Sequence, residues 1–258
     1  DVMATMWWVE HAVAPQELRV SVVMCTRNRA KLLEGAVASV LAQWHHNWQL
    51  VIVDDGSTDE TPVLLRSLAD RRVLCVRSTG VGAAAARNIG LEAVDGQVVA
   101  FLDDDNRLHP AWLKTVAWAF QDASVDVAFG ARITERAEAL HGGTATRFPG
   151  LHFTPYDRRR QRFLNSVDLG ALAHRPRADV RFDADPRIRR VDDWEYVRRL
   201  TVATRPLAIP AVACFYATSA ENRLTGAPTE SGALEAARAM AERHRTPRVA
   251  TRGSTGPC

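Results

Sequence analysis

"VVAFLDDDNRLHP" (residues 98–110) runs five apolar residues straight into three aspartates, Asp103, Asp104 and Asp105. A short apolar run bounded by polar residues reads as a buried strand. Two unit charges about 5 Å apart repel by about 3 kcal/mol at an effective dielectric near 20, so a carboxylate triplet at a strand end needs a partner. A cation is the simplest one, since Mg²⁺ takes one or two carboxylates and completes its shell with water and phosphate. Side-chain alternation along a strand would send the first and third carboxylates one way and the second the other. The competing reading is a solvated turn in which Asp104 or Asp105 caps the next helix.

Working outward, the same grammar recurs. "VSVVMC" (20–25) is a strand-like run ended by "TRNR", and Leu33, Ala36, Val37, Val40, Leu41 and Trp44 then follow at helical spacing. "QLVIVDDGSTDE" (49–60) breaks at Asp54, Asp55 and Gly56, and Thr61-Pro62 opens a helix as cap and first residue. "VLCVR" (73–77) leads through "STGVG" to an Ala-rich helix, and Pro110 opens another after the aspartates. Strand and helix alternating with short connections predict a parallel sheet covered on both faces. Ligands bind such sheets at the carboxyl ends of the strands, where TRNR, DDGS, STGVG and DDDN all fall.

The second half is less regular. "DVAFGARIT" (126–134) is a further strand, "HGGTATRFPG" (141–150) a loop, and "DRRRQRF" (157–163) a charge run. "IRRVDDWEYVRRL" (188–200) is a helix with an acidic first turn, where the macrodipole favours anions. A carboxylate there that faces the cleft, Asp192 or Asp193, is a candidate general base. Residues 229–244 read as a last helix before a polar tail. The domain reading is an N-terminal extension over 1–18, one α/β domain over 19–228 (halves 19–130 and 131–228), and a C-terminal helix and tail over 229–258.

The bulk numbers set bounds. The 258 residues, 47% hydrophobic and 24% charged, are those of an ordinary globular chain. A net charge of +3 is too small to argue for nucleic acid. Lys31 and Lys114 are the only lysines, so the basic set is almost all arginine, whose planar fork suits phosphates and carboxylates. No run of about 18 apolar residues exists to span a membrane. "MATMWWVEHAVA" lacks the basic start of a secretion signal. Cys25, Cys75, Cys214 and Cys258 show no CxxC spacing, and Cys25 and Cys75 fall in apolar runs that predict buried, reduced thiols, so the expected location is cytoplasmic.

Taken in order, "VSVVMCTRNRAKLLEGAVASVLAQ", "LVIVDDGSTDET", "GAAAARNIGL", "VVAFLDDDNRLHPAWL" and "RFDADPRIRRVDDWEYVRRL" resemble the family 2 glycosyltransferases of the GT-A fold, over roughly residues 19–202. The resemblance implies a Rossmann-like, mostly parallel sheet with a smaller irregular acceptor-side region. It implies inverting transfer of a sugar from a UDP-, GDP- or dTDP-sugar to an acceptor hydroxyl, assisted by Mn²⁺ or Mg²⁺. By position, Asp55 accepts a hydrogen bond from the nucleotide base, with Asp54, Thr26 and Arg27 nearby. Asp103 and Asp104 lie near ribose and diphosphate, Asp105 coordinates the metal, and Arg87 and Asn88 line the donor pocket. Asp193 is the catalytic base, with Asp192, Trp194 and His174 on the acceptor side. Two residues depart from the family pattern: Arg27 replaces a common aromatic, and Gly80 a common Asn.

The rival reading is an NAD-dependent oxidoreductase. "GVGAAA" (80–85) follows a strand, and Asp103 comes about 20 residues later, as a ribose-binding acid would. Arg77-Ser78-Thr79 stand between strand and glycines, where that fingerprint requires a tight turn. Binding of NAD(H) without a metal would mark this class.

Overall fold

The computed structural model describes residues 2–13, 15–135, 150–189 and 191–217. Helix α1 (Val2–His11) precedes β1 (Val20–Thr26), α2 (Ala30–Leu41), β2 (Trp48–Asp54), α3 (Thr61–Ser67), β3 (Val73–Arg77), α4 (Ala83–Glu92) and β4 (Val98–Phe101). Then come β5 (Arg107–Leu108), α5 (Trp112–Ala119), β6 (Val127–Glu135), β7 (Gly150–His152), α6 (Arg158–Gln161), β8 (Leu172–His174), α7 (Asp192–Leu200) and β9 (Leu207–Ala217). The helix expected over 229–244, the loop over 141–149 and the C-terminal tail lie outside the described residues.

The sheet order is β3-β2-β1-β4-β8-β6-β9-β5, with β7 added beside β6. Strands β3, β2, β1 and β4 are mutually parallel, with Val20 opposite both Trp48 and Val98 and Thr26 opposite Asp54. The long β6–β9 ladder is also parallel, whereas β8 inserts antiparallel between β4 and β6. Every residue of β2 is buried, as a strand covered on both faces requires. Val20, Val22 and Met24 pack with α2 and α5 through Leu33, Val40 and Trp112, while Val23 faces the opposite side with Phe101 and Tyr196. The period of two thus divides one strand between two helix layers.

Two expectations change. Cys75 is exposed, because β3 is the edge strand and its other residues are also half-buried or exposed; Cys25 is half-buried. Leu41 and Trp44 are each 40% exposed, since α2 ends at Leu41 and its buried stripe is Leu33, Ala36, Val37 and Val40. The N-terminal stretch packs on the domain: Met6 lies against the core, and Trp8 meets Trp118 edge to face at 4.6 Å.

Gly90 sets how closely α4 lies on the sheet. A Cβ there would come within 2.5 Å of Val23 Cγ1 and 3.4 Å of Val53 Cγ2. Glycine in a helix interior costs about 1 kcal/mol against alanine, but overpacking a tight contact costs about 1–3 kcal/mol. Because the 2.5 Å approach takes the upper part of that range, Gly90→Ala is expected to lower unfolding free energy by about 1–2 kcal/mol net in urea titration. An unchanged or raised midpoint would show that α4 can move off β1.

Candidate active site

The parallel register brings the carboxyl ends of β1, β2 and β4 to one edge, where a cavity of about 490 Å³ opens. Of the residues singled out from the sequence, Thr26, Arg27, Asp55, Arg87, Asp103, Asp104, Asp105, Asp192 and Asp193 line it. Strand β4 stops at Phe101, so the three aspartates stand on the turn beyond it and strand alternation does not sort them.

Their partners are arginines. Arg29 Nη1 donates to Asp104 Oδ1 at 2.8 Å and to Asp105 Oδ2 at 3.3 Å. Arg87 Nη2 donates to Asp103 Oδ1 at 3.0 Å, and its Nη1 to Asp192 Oδ2 at 2.7 Å. The carboxylate triplet is thus held by two guanidiniums. Burial still pushes the Asp104 carboxyl up to about 6, against the pull of Arg29. Arg87 is kept charged because Asp192 and Asp103 outweigh the cost of its burial.

Asp55 is fixed from the third strand's loop. Its Oδ1 accepts from Ser78 Oγ at 2.5 Å and Val81 N at 2.7 Å, and its Oδ2 from Gly82 N at 2.9 Å. Burial opposes its charge, but these donors, with Arg27 nearby, hold the carboxyl below its usual range. Gly80 and Gly82 have φ of +88° and +91°, the left-handed region that lets successive amides turn inward. The glycine loop of the oxidoreductase reading therefore commits the amides of Val81 and Gly82 to Asp55 rather than to a pyrophosphate. The two departures from the family pattern also meet here, since a Cβ on Gly80 would lie 3.2 Å from Arg27 Nη1.

Asp193 stands in the first turn of α7 and lines the same cavity as the triplet. Its Oδ1 accepts from Trp194 N at 2.7 Å and its Oδ2 from Asn165 Nδ2 at 3.0 Å. Burial, and then the charge of Asp192, push its carboxyl up to about 7. Asp168 comes into the same cavity, paired with Arg132 Nη1 at 2.6 Å.

Four expected site residues lie outside the cavity lining. Asp54 accepts from Arg77 Nη1 at 2.7 Å and Ser57 N at 2.9 Å, because as the last residue of β2 it points to the face opposite Asp55. Asn88 makes both of its amide bonds to the backbone of Phe182, each 2.8 Å, and so ties α4 to the chain before α7. His174 is buried and pushed down to about 4 by that burial. Its Nδ1 donates to the Arg175 carbonyl at 2.6 Å, leaving Nε2 to accept from Tyr196 Oη at 3.0 Å. Trp194 Nε1 donates to the Gln161 carbonyl at 2.7 Å and joins α7 to α6. Conversely, the sequence did not single out Arg29, Ser78, Asn165, Asp168, Arg189 or Tyr216. Arg29, Ser78 and Arg189 sit inside the quoted TRNR, STGVG and IRRVDDW stretches, but Asn165, Asp168 and Tyr216 carry no local pattern.

A divalent ion fits the donor set on chemical grounds. Asp103 and Asp105 offer hard carboxylate oxygens to one cavity. One or two carboxylates, with room for water and phosphate, is the arrangement Mg²⁺ or Mn²⁺ takes beside a diphosphate.

Residues 21–176, more than half of the chain, match the model of glycosyl transferase family 2. The chain belongs to that family. It is 36% identical over 111 residues to an uncharacterized glycosyltransferase of Nostoc sp., a match covering 42% of this chain and 34% of that one. It is 35% identical over 88 residues to the UDP-Glc:alpha-D-GlcNAc-diphosphoundecaprenol beta-1,3-glucosyltransferase WfaP of Escherichia coli, covering 34% and 35%. Each match spans about a third of the relative's length. Among solved structures, S. aureus TarS 1-349 in complex with UDP-GlcNAc superposes with a TM-score of 0.61 at 17% identity, covering 82% of this chain and 62% of that one. The mannosyltransferase PcManGT from Pyrobaculum calidifontis, in complex with GDP-Man and Mn2+, gives 0.57 at 20% identity, covering 85% and 65%. The fold is GT-A. Among the described residues, no helix is long and apolar enough to cross a membrane.

Proposed function

We propose that the protein is an inverting, metal-assisted glycosyltransferase that moves a sugar from a nucleotide-diphosphate sugar to an acceptor hydroxyl. The observation that carries this reading is that one cavity is lined both by Asp103–Asp105 and by Asp193, whose carboxyl burial pushes up to about 7. Family membership, and neighbours in complex with UDP-GlcNAc and GDP-Man, support the donor class.

In this reading Asp55 receives the base, with Thr26 and the Arg27 guanidinium beside it. Asp103 and Asp104 flank ribose and diphosphate, and Arg87 holds Asp103 in place. Asp105, with Asp103 beside it, would hold Mn²⁺ or Mg²⁺, which when bound offsets the charge growing on the leaving diphosphate. Asp193 takes the proton of the acceptor hydroxyl as its oxygen bonds to the anomeric carbon. The bond from that carbon to the diphosphate oxygen breaks on the opposite face, and the nucleoside diphosphate leaves. A base that titrates near neutrality suits this task, because it is ionised at working pH yet still basic enough to accept the proton.

Calorimetric titration of UDP, GDP and dTDP, each with and without Mn²⁺, tests the reading. Metal-dependent binding of one nucleotide is expected, and Asp105→Ala should weaken it about tenfold or more by removing a charged ligand. Unchanged Mn²⁺ dependence in that variant would remove Asp105 from the role. Failure of all three nucleotides, with binding of NADH, would overturn the reading in favour of an oxidoreductase.

A further inference from the structure

Part of the charge run "DRRRQRF" lines two further cavities in the structure. A second cavity, of about 310 Å³, is lined by Arg160, Asn165 and Asp168 together with Phe129 and Phe153. It shares Asp168 with the donor cavity, and its Asn165 is the residue that donates to Asp193 Oδ2. It is therefore joined to the proposed base through Asn165 and to the donor cavity through Asp168. Arg160 also lines a third cavity, of about 670 Å³, with Arg158 and Arg205.

Most of the nearby charges are already committed. Arg132 is paired with Asp168, and Arg158 Nη2 donates to the Thr201 carbonyl. Asp157, the carboxylate nearest in sequence, accepts from the amides of Arg159 and Arg160. Among the described residues, neither the Arg160 nor the Arg205 guanidinium has a side-chain or backbone acceptor. Arg160 thus lines the cavity that holds Asn165, the donor to Asp193, and Arg205 lines the neighbouring cavity that shares Arg160 and Thr154 with it; such planar forks match phosphate and carboxylate oxygens two at a time.

We infer that the acceptor carries an anionic group, phosphate or carboxylate, and that Arg160, supported by Arg205, holds this group while the acceptor hydroxyl lies against Asp193. The inference rests on the sugar-transfer reading and adds the class of acceptor to it. The aromatic walls, Phe129 and Phe153 with ring centroids 6.1 Å apart, would cover the apolar part next to the anion.

The test is ligand-observed NMR on protein saturated with Mg²⁺ and whichever of UDP, GDP or dTDP it binds, so that the donor cavity is occupied. Phenyl phosphate, benzoate and benzyl alcohol serve as probes. Saturable binding of phenyl phosphate or benzoate, whichever anion the site prefers, is expected, with none for the neutral alcohol. Arg160→Gln should weaken it about tenfold or more, Arg205→Gln less, and Arg159→Gln, at a residue lining neither cavity, not at all. Unchanged affinity for that nucleotide in Arg160→Gln shows that the variant is folded. Anion binding that is equal in wild type and Arg160→Gln, or absent while the nucleotide still binds, overturns the inference alone. Failure of UDP, GDP and dTDP all to bind the wild type would count against the sugar-transfer reading instead.

Discussion

Asp193→Asn should lower turnover by about 10²–10⁴-fold, the range general-base catalysis supplies, while nucleotide affinity stays within about twofold of wild type. Asparagine keeps the shape of the side chain and an oxygen for Asn165 but cannot accept the proton. In the wild type, kcat/KM should fall on the acid side with a midpoint near 7, because burial and Asp192 push the Asp193 carboxyl of the free enzyme up to about 7. The same shift makes a stability prediction. Between the ordinary value of 3.8 and about 7, the native state holds a proton that the unfolded chain has lost. Stability therefore falls as pH rises through that window, and the whole cost of the buried charge stands above it. The asparagine variant has no charge to bury. Its melting temperature should exceed that of wild type at pH 8, and the difference should close as pH falls below the window. Turnover that survives in the variant would assign the base elsewhere. A variant less stable than wild type at pH 8 would show that the carboxylate is not paying for its position.

The features legible in the sequence are those carried by short segments. Apolar runs at 20–25, 49–53 and 98–102 ending in polar residues gave the parallel half of the sheet, and with it the edge where Asp55 and Asp103–Asp105 gather. The acidic first turn of α7 gave Asp193 for the same reason. What was not legible depends on direction or on distant pairing. Asp54 and Asp55 are neighbours in one motif, yet the strand turns the first under Arg77 and the second toward Ser78 and Gly82. Asn88 matches a motif position but spends its amide on Phe182, 94 residues away. Cys75 sits in an apolar run like that of Cys25, and only the strand order reveals that its strand is an edge. Asn165 and Asp168 lie in a stretch without period, brought to the site because β8 inserts between β4 and β6. The triplet itself shows both outcomes. Its need for positive charge was readable, but the nearest cations, Arg29 and Arg87, come from the loop after β1 and from α4.

Arg87→Met should destabilise the protein by about 3–5 kcal/mol at pH 8, the usual result of removing one partner of a buried ion pair. The Asp192 side chain is only 7% exposed and receives Arg87 Nη1 at 2.7 Å, so the variant leaves a carboxylate buried without its guanidinium. Methionine fills much of the same volume, which keeps the loss electrostatic rather than one of packing. Burial already pushes the Asp192 carboxyl up, and Arg87 is the main group drawing it back. Without Arg87 the carboxyl rises further and takes a proton as pH falls, so the deficit should shrink in acid and be largest above neutrality. Adding Asp192→Asn removes the stranded charge, and the double variant should recover most of the lost stability in a double-mutant cycle. Activity should not return with it. Arg87 joins Asp103 on the donor side to the first turn of α7, where Asp193 stands, and the neutral pair no longer holds those two walls in register. Equal urea midpoints for wild type and Arg87→Met at pH 8 would show that water reaches Asp192 and that the bridge is not a buried one. Full activity in the double variant would show that Arg87 acts on stability alone and leaves the geometry between donor and base to other contacts.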